Sequence, residues 1–176
     1  DAGLTGTEIG DYKSGDVNLA GLIQRILAET PLPRLRLSSL QPHHITPDLI
    51  ELWRDARLCP HFHLSLQSRS DAVLKRMKRR YSVADYHNAV KLIRDIVPDA
   101  AITTDGIVGF PGETDLAFKE TLNFCREMEF ARIHVFPFSP RPGTAAAVMP
   151  QQISDAIKKE RSSRMLTLSQ ESVKAF

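Results

Sequence analysis

The stretch Thr103–Thr114 reads TTDGIVGFPGET, and the rest of the chain is best approached from it. It belongs to a run rich in β-branched and apolar residues, AITTDGIVGF, with the character of a buried strand. Within that run Gly106 and Gly109 stand three apart, where glycine weakens a strand and marks a bulge or a close approach to the backbone. Pro111-Gly112 predicts a turn, Glu113 follows, and Thr114 carries the oxygen that caps a helix. A strand handing over through a glycine-rich turn to a helix is a βα unit. The turn is neither GxGxxG nor a lysine-bearing P-loop, so dinucleotide and triphosphate readings are weak. A flat ring lying against glycine backbone fits it.

Working outward, the same unit recurs. LRLSSL (35–40), HFHLSLQ (61–67) and RIHVFPFS (132–139) predict further strands, and LTG (4–6) reads as the end of another. Between them, VNLAGLIQRILAET places Leu19, Leu22, Ile23, Ile26 and Leu27 at helical spacing before Pro31 and Pro33 stop it. Thr46-Pro47-Asp48 opens a helix expected to run to about Leu58. DAVLKRMKRR and SVADYHNAVKLIRDIV predict two more, DLAFKETLNFCREME another, and a long polar helix begins near Ile153. Strands alternating with helices favour a parallel sheet with right-handed crossovers. Moderately polar strands favour a barrel over a doubly wound sheet. The expected fold is therefore α/β, a partial (β/α) barrel of about four parallel strands with outer helices. Residues 1–150 are assigned to it, and 151–176 to a terminal helix leading toward a further domain. A ligand site is expected at the strands' carboxyl ends, where SSLQPHH, LQSRSD, GFPGET and FSPRPGT fall.

Composition narrows the chemistry. Over 176 residues, 42% are apolar and 25% charged, and the net charge is only +2, which argues neither for nor against nucleic acid. No apolar run spans a bilayer, so a soluble, cytoplasmic protein is expected. The chain opens on Asp1 in mid-pattern and reads as a fragment. Cys59 and Cys125 lie far apart with no metal-binding spacing, so two structural thiols are expected. LKRMKRRY (74–81) reads as a solvated basic face or an anion clamp. His61, His63 and His134 fall on strands and read as hydrogen-bonding histidines; a metal-dependent hydrolase using them is the alternative. No G-x-S-x-G elbow is present, and no strand carries a Schiff-base lysine.

The series LTGTEIGDY, RLRLSSLQP, CPHFHLSLQS…VLKRMKRRY, TTDGIVGFPGET and RIHVFPFSPRPGT resembles the MiaB-like radical S-adenosylmethionine tRNA methylthiotransferases. HFHLSLQS and IHVFPFS are most similar to the branch acting on N6-threonylcarbamoyladenosine beside the tRNA anticodon. The resemblance implies a transferase that uses S-adenosylmethionine and [4Fe-4S] clusters on tRNA, with this chain forming part of its central barrel. It places Gln67 and Ser68 near the cofactor's ribose or methionine part, and Asp105, Gly106, Gly109, Pro111, Gly112 and Glu113 along its adenine. Phe138 and Ser139 follow on the next strand end, and Arg80 is a candidate for its carboxylate. The family's CxxxCxxC is absent, so cluster ligands are expected outside this chain, with no metal-ligating or catalytic residue inside it and no activity from it alone. A non-catalytic module binding adenosine ligands or RNA is the second reading. A partial barrel also predicts self-association through open strand edges. Arg69 stands where the family usually has glycine, Gly106 where it has a larger apolar residue, and Gln41 where it has glutamate.

Overall fold

A computed structural model describes residues 1–6 and 8–176. Its strands are β1 (Ala2–Leu4), β2 (Lys13–Ser14), β3 (Val17–Asn18), β4 (Leu35–Leu37), β5 (His61–Gln67), β6 (Ala101–Val108) and β7 (Arg132–Pro137). The helices are α1 (Leu19–Glu29), α2 (Pro47–Ile50), α3 (Asp71–Arg76), α4 (Val83–Ile96), α5 (Asp115–Glu127) and α6 (Asp155–Ala175). The chain resolves into two compact units, residues 1–65 with 84–102, and residues 66–83 with 103–176.

In the first unit β1 and β4 pair in parallel, and β2 and β3 form a hairpin turning at Gly15, whose φ of 59° suits glycine. α1 is capped by Asn18, whose side chain accepts the Gly21 N–H, and its core face carries Leu19 and Ile23. The core joins Leu35, Leu37, Leu40, Ile50, Phe62 and Leu64 to Tyr86 and Ile93 of α4. Two buried polar handles find carbonyls: Trp53 Nε1 donates to Cys59 O at 2.8 Å, and Tyr86 Oη to Leu64 O at 3.1 Å. The helix expected from Pro47 to Leu58 is shorter. After α2 a 3-10 segment, Glu51–Arg54, ends at Asp55, whose carboxylate accepts the Arg57 N–H at 2.9 Å. That local bond outcompetes further helix.

The second unit holds the ends of β5 and β6, all of β7, and α3, α5 and α6. The sheet order is β5-β6-β7, with β6 and β7 parallel and Val108 opposite Pro137. Ala101 N–H donates to Pro60 O, and Leu66 N–H to Thr104 Oγ1, so β5 and β6 advance in the same direction. The α/β class and parallel strands hold as expected; among the described residues the strands fall into the sheets β1-β4, β2-β3 and β5-β6-β7. DAVLKRMKRR is helical only to Arg76, because Lys78 adopts φ 56° and reverses the chain. Residues 151–176 belong with the second unit. Ser169 of α6 both accepts the Ile133 N–H (3.1 Å) and donates to Ile133 O (2.8 Å), covering part of the β7 edge.

Candidate cofactor-binding site

Three neighbouring strand ends of the second unit come together: Gln67-Ser68 at the end of β5, Gly109–Glu113 after β6, and Phe138-Ser139 after β7. Phe138 N–H donates to Val108 O at 2.8 Å, which extends the β6/β7 ladder by one step. That step sets the Phe138 ring edge-on to Phe110, with centroids 5.1 Å apart. Phe110, Phe138 and Met77 join Val73 of α3 and Ala117 of α5 in one apolar cluster beneath the loop. Gln67 is buried at φ 66°, a conformation that a non-glycine residue adopts only under constraint, and Ser68 is fully buried. Ser68 Oγ accepts the Ser70 N–H, and the Arg69 N–H donates to Thr121 Oγ1. The arginine in place of glycine thus keeps a paired backbone.

The glycines of the loop make room, though for protein. A Cβ at Gly109 (φ 73°) would overlap the stem of Lys158, and one at Gly112 (φ 81°) the guanidinium of Arg76. A Cβ at Gly106 would meet Met165 at 3.3 Å. What the loop offers a ligand is therefore its backbone and the strand-end side chains. That backbone is held from several sides. Arg76 Nη1 donates to Pro111 O and Gln151 Oε1, and Gly112 N–H donates to Gln151 O. Glu113 is buried, and its Oε2 accepts the Gly109 N–H at 2.7 Å. Burial pushes the Glu113 carboxyl up from its ordinary range, while the Gly109 N–H and the Arg161 guanidinium pull it back.

Of the basic stretch, Arg80 is exposed and Arg79 partly buried. Arg79 Nε is enclosed and has no hydrogen-bond partner, an orphan donor beside Tyr81. Tyr81 Oη donates to Leu66 O at 3.2 Å, within the fields of Arg79 and Asp105. The resemblance offers Arg80 as the carboxylate candidate; after the turn at Lys78, Arg80 is exposed and Arg79 is the more buried of the two.

Burial pushes the Tyr81 phenol from 10.0 up to about 12. The fold keeps this proton over a range where the unfolded chain has lost it. The contribution is complete below pH 10 and falls as pH rises toward 12, by about 1.4 kcal/mol per unit, or roughly 3 kcal/mol in all. Urea midpoints from pH 9 to 12 should fall less steeply in Tyr81→Phe than in the parent. Cys125, whose thiol burial also raises to about 12, titrates equally in both proteins. Equal slopes would mean that Tyr81 is not insulated.

The thiols do not make a cluster site. Cys125 is fully enclosed on α5, and Cys59 lies in the other unit, 3.6 Å from Arg34 Nη2. Two cysteines cannot supply three thiolates. Among the described residues, the group whose ligand atoms lie within 4.8 Å of one another is Asp11, His43 and His44, which includes none of His61, His63 or His134. Its His44 Nδ1 accepts the Gln41 N–H, which leaves the ring proton on Nε2 for Asp11 at 3.0 Å. Also among the described residues, no helix is long and apolar enough to cross a membrane.

Comparison with known proteins gives the family and the fold. The chain is 42% identical over 173 residues to the threonylcarbamoyladenosine tRNA methylthiotransferase MtaB of Treponema pallidum, covering 98% of this chain and 36% of that protein. It is 46% identical over 160 residues to MtaB of Thermotoga maritima, covering 90% of this chain and 37% of the relative. It is also 42% identical over 159 residues to the tRNA-2-methylthio-N(6)-dimethylallyladenosine synthase of Endomicrobium trichonymphae, covering 90% and 38%. The chain thus spans between a third and two fifths of these relatives' length. Among solved structures, the fold matches coproporphyrinogen III oxidase of Escherichia coli (TM-score 0.63, 20% identity, 89% of this chain and 38% of that one). It also matches the radical S-adenosylmethionine methyltransferase TsrM of Kitasatospora setae, solved with cobalamin and a [4Fe-4S] cluster (TM-score 0.67, 17% identity, 83% and 29%). The sequence pattern of the radical SAM superfamily matches residues 3–125, and with these strands in this order the chain belongs to that superfamily.

Proposed function

We propose that this chain is the S-adenosylmethionine-holding part of a tRNA methylthiotransferase acting on an adenosine beside the anticodon, N6-threonylcarbamoyladenosine being the substrate we favour. The observation that carries this reading is identity of 42–46% to two MtaB proteins along 90–98% of the chain. The strand-end geometry supports it. S-adenosylmethionine, when bound, supplies the reactive chemistry, and the residues here bind and orient it. Gln67 and Ser68 lie at its ribose or methionine end, the Gly109–Gly112 backbone and Phe138-Ser139 at its adenine. Asp105 stands on β6 beneath them. The orphan donor of Arg79 suits its carboxylate better than exposed Arg80 does. The iron–sulfur clusters of such an enzyme find no ligand set in this chain, so their thiolates come from elsewhere in the protein. Self-association through β1, whose outer side pairs with no described strand, is a secondary proposal; a monomer by light scattering ends it.

The test is calorimetric titration of the full-length, cluster-loaded protein with S-adenosylmethionine and S-adenosylhomocysteine. Both should bind. Loss of a hydrogen bond to a charged group should make Arg79→Gln bind each about 10- to 100-fold more weakly. No binding by the parent ends the reading, and unchanged binding by Arg79→Gln places the carboxylate elsewhere.

A further inference from the structure

Glu113 and Arg161 are 48 residues apart in sequence, and both are almost fully enclosed. Arg161 Nη1 donates to Glu113 Oε2 at 2.6 Å and to Glu113 O at 3.1 Å, while Nη2 reaches Asp115 Oδ1 at 2.6 Å. The same Oε2 accepts the Gly109 N–H. The guanidinium on α6 thus reaches the Gly109 N–H only through the Glu113 carboxylate, and its bond to Asp115 lies on the exposed side. Beside it, the stem of Lys158 fills the space at Gly109, and its ammonium sits 5.8 Å from the Phe138 ring. As a source of stability the pair is poor. A buried ion pair recovers little more than its own desolvation, and apolar residues of equal volume often do as well. Moreover, Glu113 Oε1 is enclosed without a hydrogen-bond partner, which weakens the pair further as a source of stability. A pair so arranged fixes position: it allows one placement of the Gly109 N–H and disfavours the others.

We propose that Arg161 is a positioning residue for the cofactor loop, acting through Glu113 to hold the Gly109–Glu113 backbone in its ligand-ready conformation. The proposal rests on the S-adenosylmethionine reading for what the loop binds, though not for how the loop is held. It makes α6 a support for the site, a larger role than that of a connecting helix.

The experiment compares full-length parent, Arg161→Gln, Glu113→Gln, the double variant and Asp115→Asn. Amide exchange of the peptide covering residues 106–113 is measured beside S-adenosylmethionine affinity and melting temperature. Arg161→Gln should speed exchange of that peptide at least 10-fold and weaken binding by a similar factor. The double variant should be no worse than the more severe single one, because both act through one contact. Asp115→Asn, on the exposed side of the guanidinium, should change exchange and affinity less than twofold. A lowered melting temperature with exchange and affinity unmoved overturns the proposal, as does full additivity. If the parent binds no S-adenosylmethionine, the functional reading fails, and exchange alone still decides whether Arg161 holds the loop.

Discussion

Glu113→Ala is expected to destabilise the second unit by about 3–5 kcal/mol, the range for removing one partner of a buried ion pair. Arg161 is only 3% exposed, so its charge would be left enclosed. Its remaining carboxylate, Asp115, has a side chain 86% exposed to solvent and compensates weakly. The Gly109 N–H would lose its acceptor as well. Glu113→Gln should cost less, since the amide oxygen still accepts from Gly109. Urea denaturation followed by a probe in the second unit measures both. A cost for Glu113→Ala of under 1 kcal/mol would show that water or a shifted Asp115 replaces the carboxylate without strain, and the clamp would not exist.

Phe118→Ala should cost about 3–5 kcal/mol for the cavity left by a fully enclosed aromatic. The ring sits on α5 beneath two cations, Arg161 at 5.4 Å and Arg164 at 4.9 Å from its centroid. Removing it takes away packing and the π face that steadies those guanidinium groups. Phe118→Leu should cost far less, about 1–2 kcal/mol, because most of the volume survives. If the leucine variant proved as damaging as the alanine variant, the π face rather than the cavity would set the cost. If neither cost more than 1 kcal/mol, Phe118 would not be enclosed.

The strands are legible where their patterns are local. HFHLSLQ is β5, and AITTDGIV is β6 almost to the residue, because β-branched runs bounded by turn formers leave the backbone little choice. Thr46 and Thr114 cap the helices their positions suggest, accepting the Leu49 and Ala117 N–H groups. The segment Glu51–Leu58 misleads: its apolar spacing is helical, yet the Asp55 side chain captures the Arg57 amide and stops the helix. The small β2/β3 hairpin has no apolar pattern to announce it.

What the sequence determined by itself was the βα order, the glycine-rich turn and the absence of a thiolate cluster, all properties of neighbouring residues and of composition. What only the tertiary structure decided was the use of that turn. The glycines suggest clearance for a flat ligand, yet the space at their missing side chains is taken by Lys158, Arg76 and Met165, which approach from distant parts of the chain. Arg161 gives no signal, since a charge in a polar helix looks solvated until the fold brings Glu113 beneath it. Periodicity reports which face of an element is apolar. It carries no information about which buried charge, 48 residues away, that face will meet.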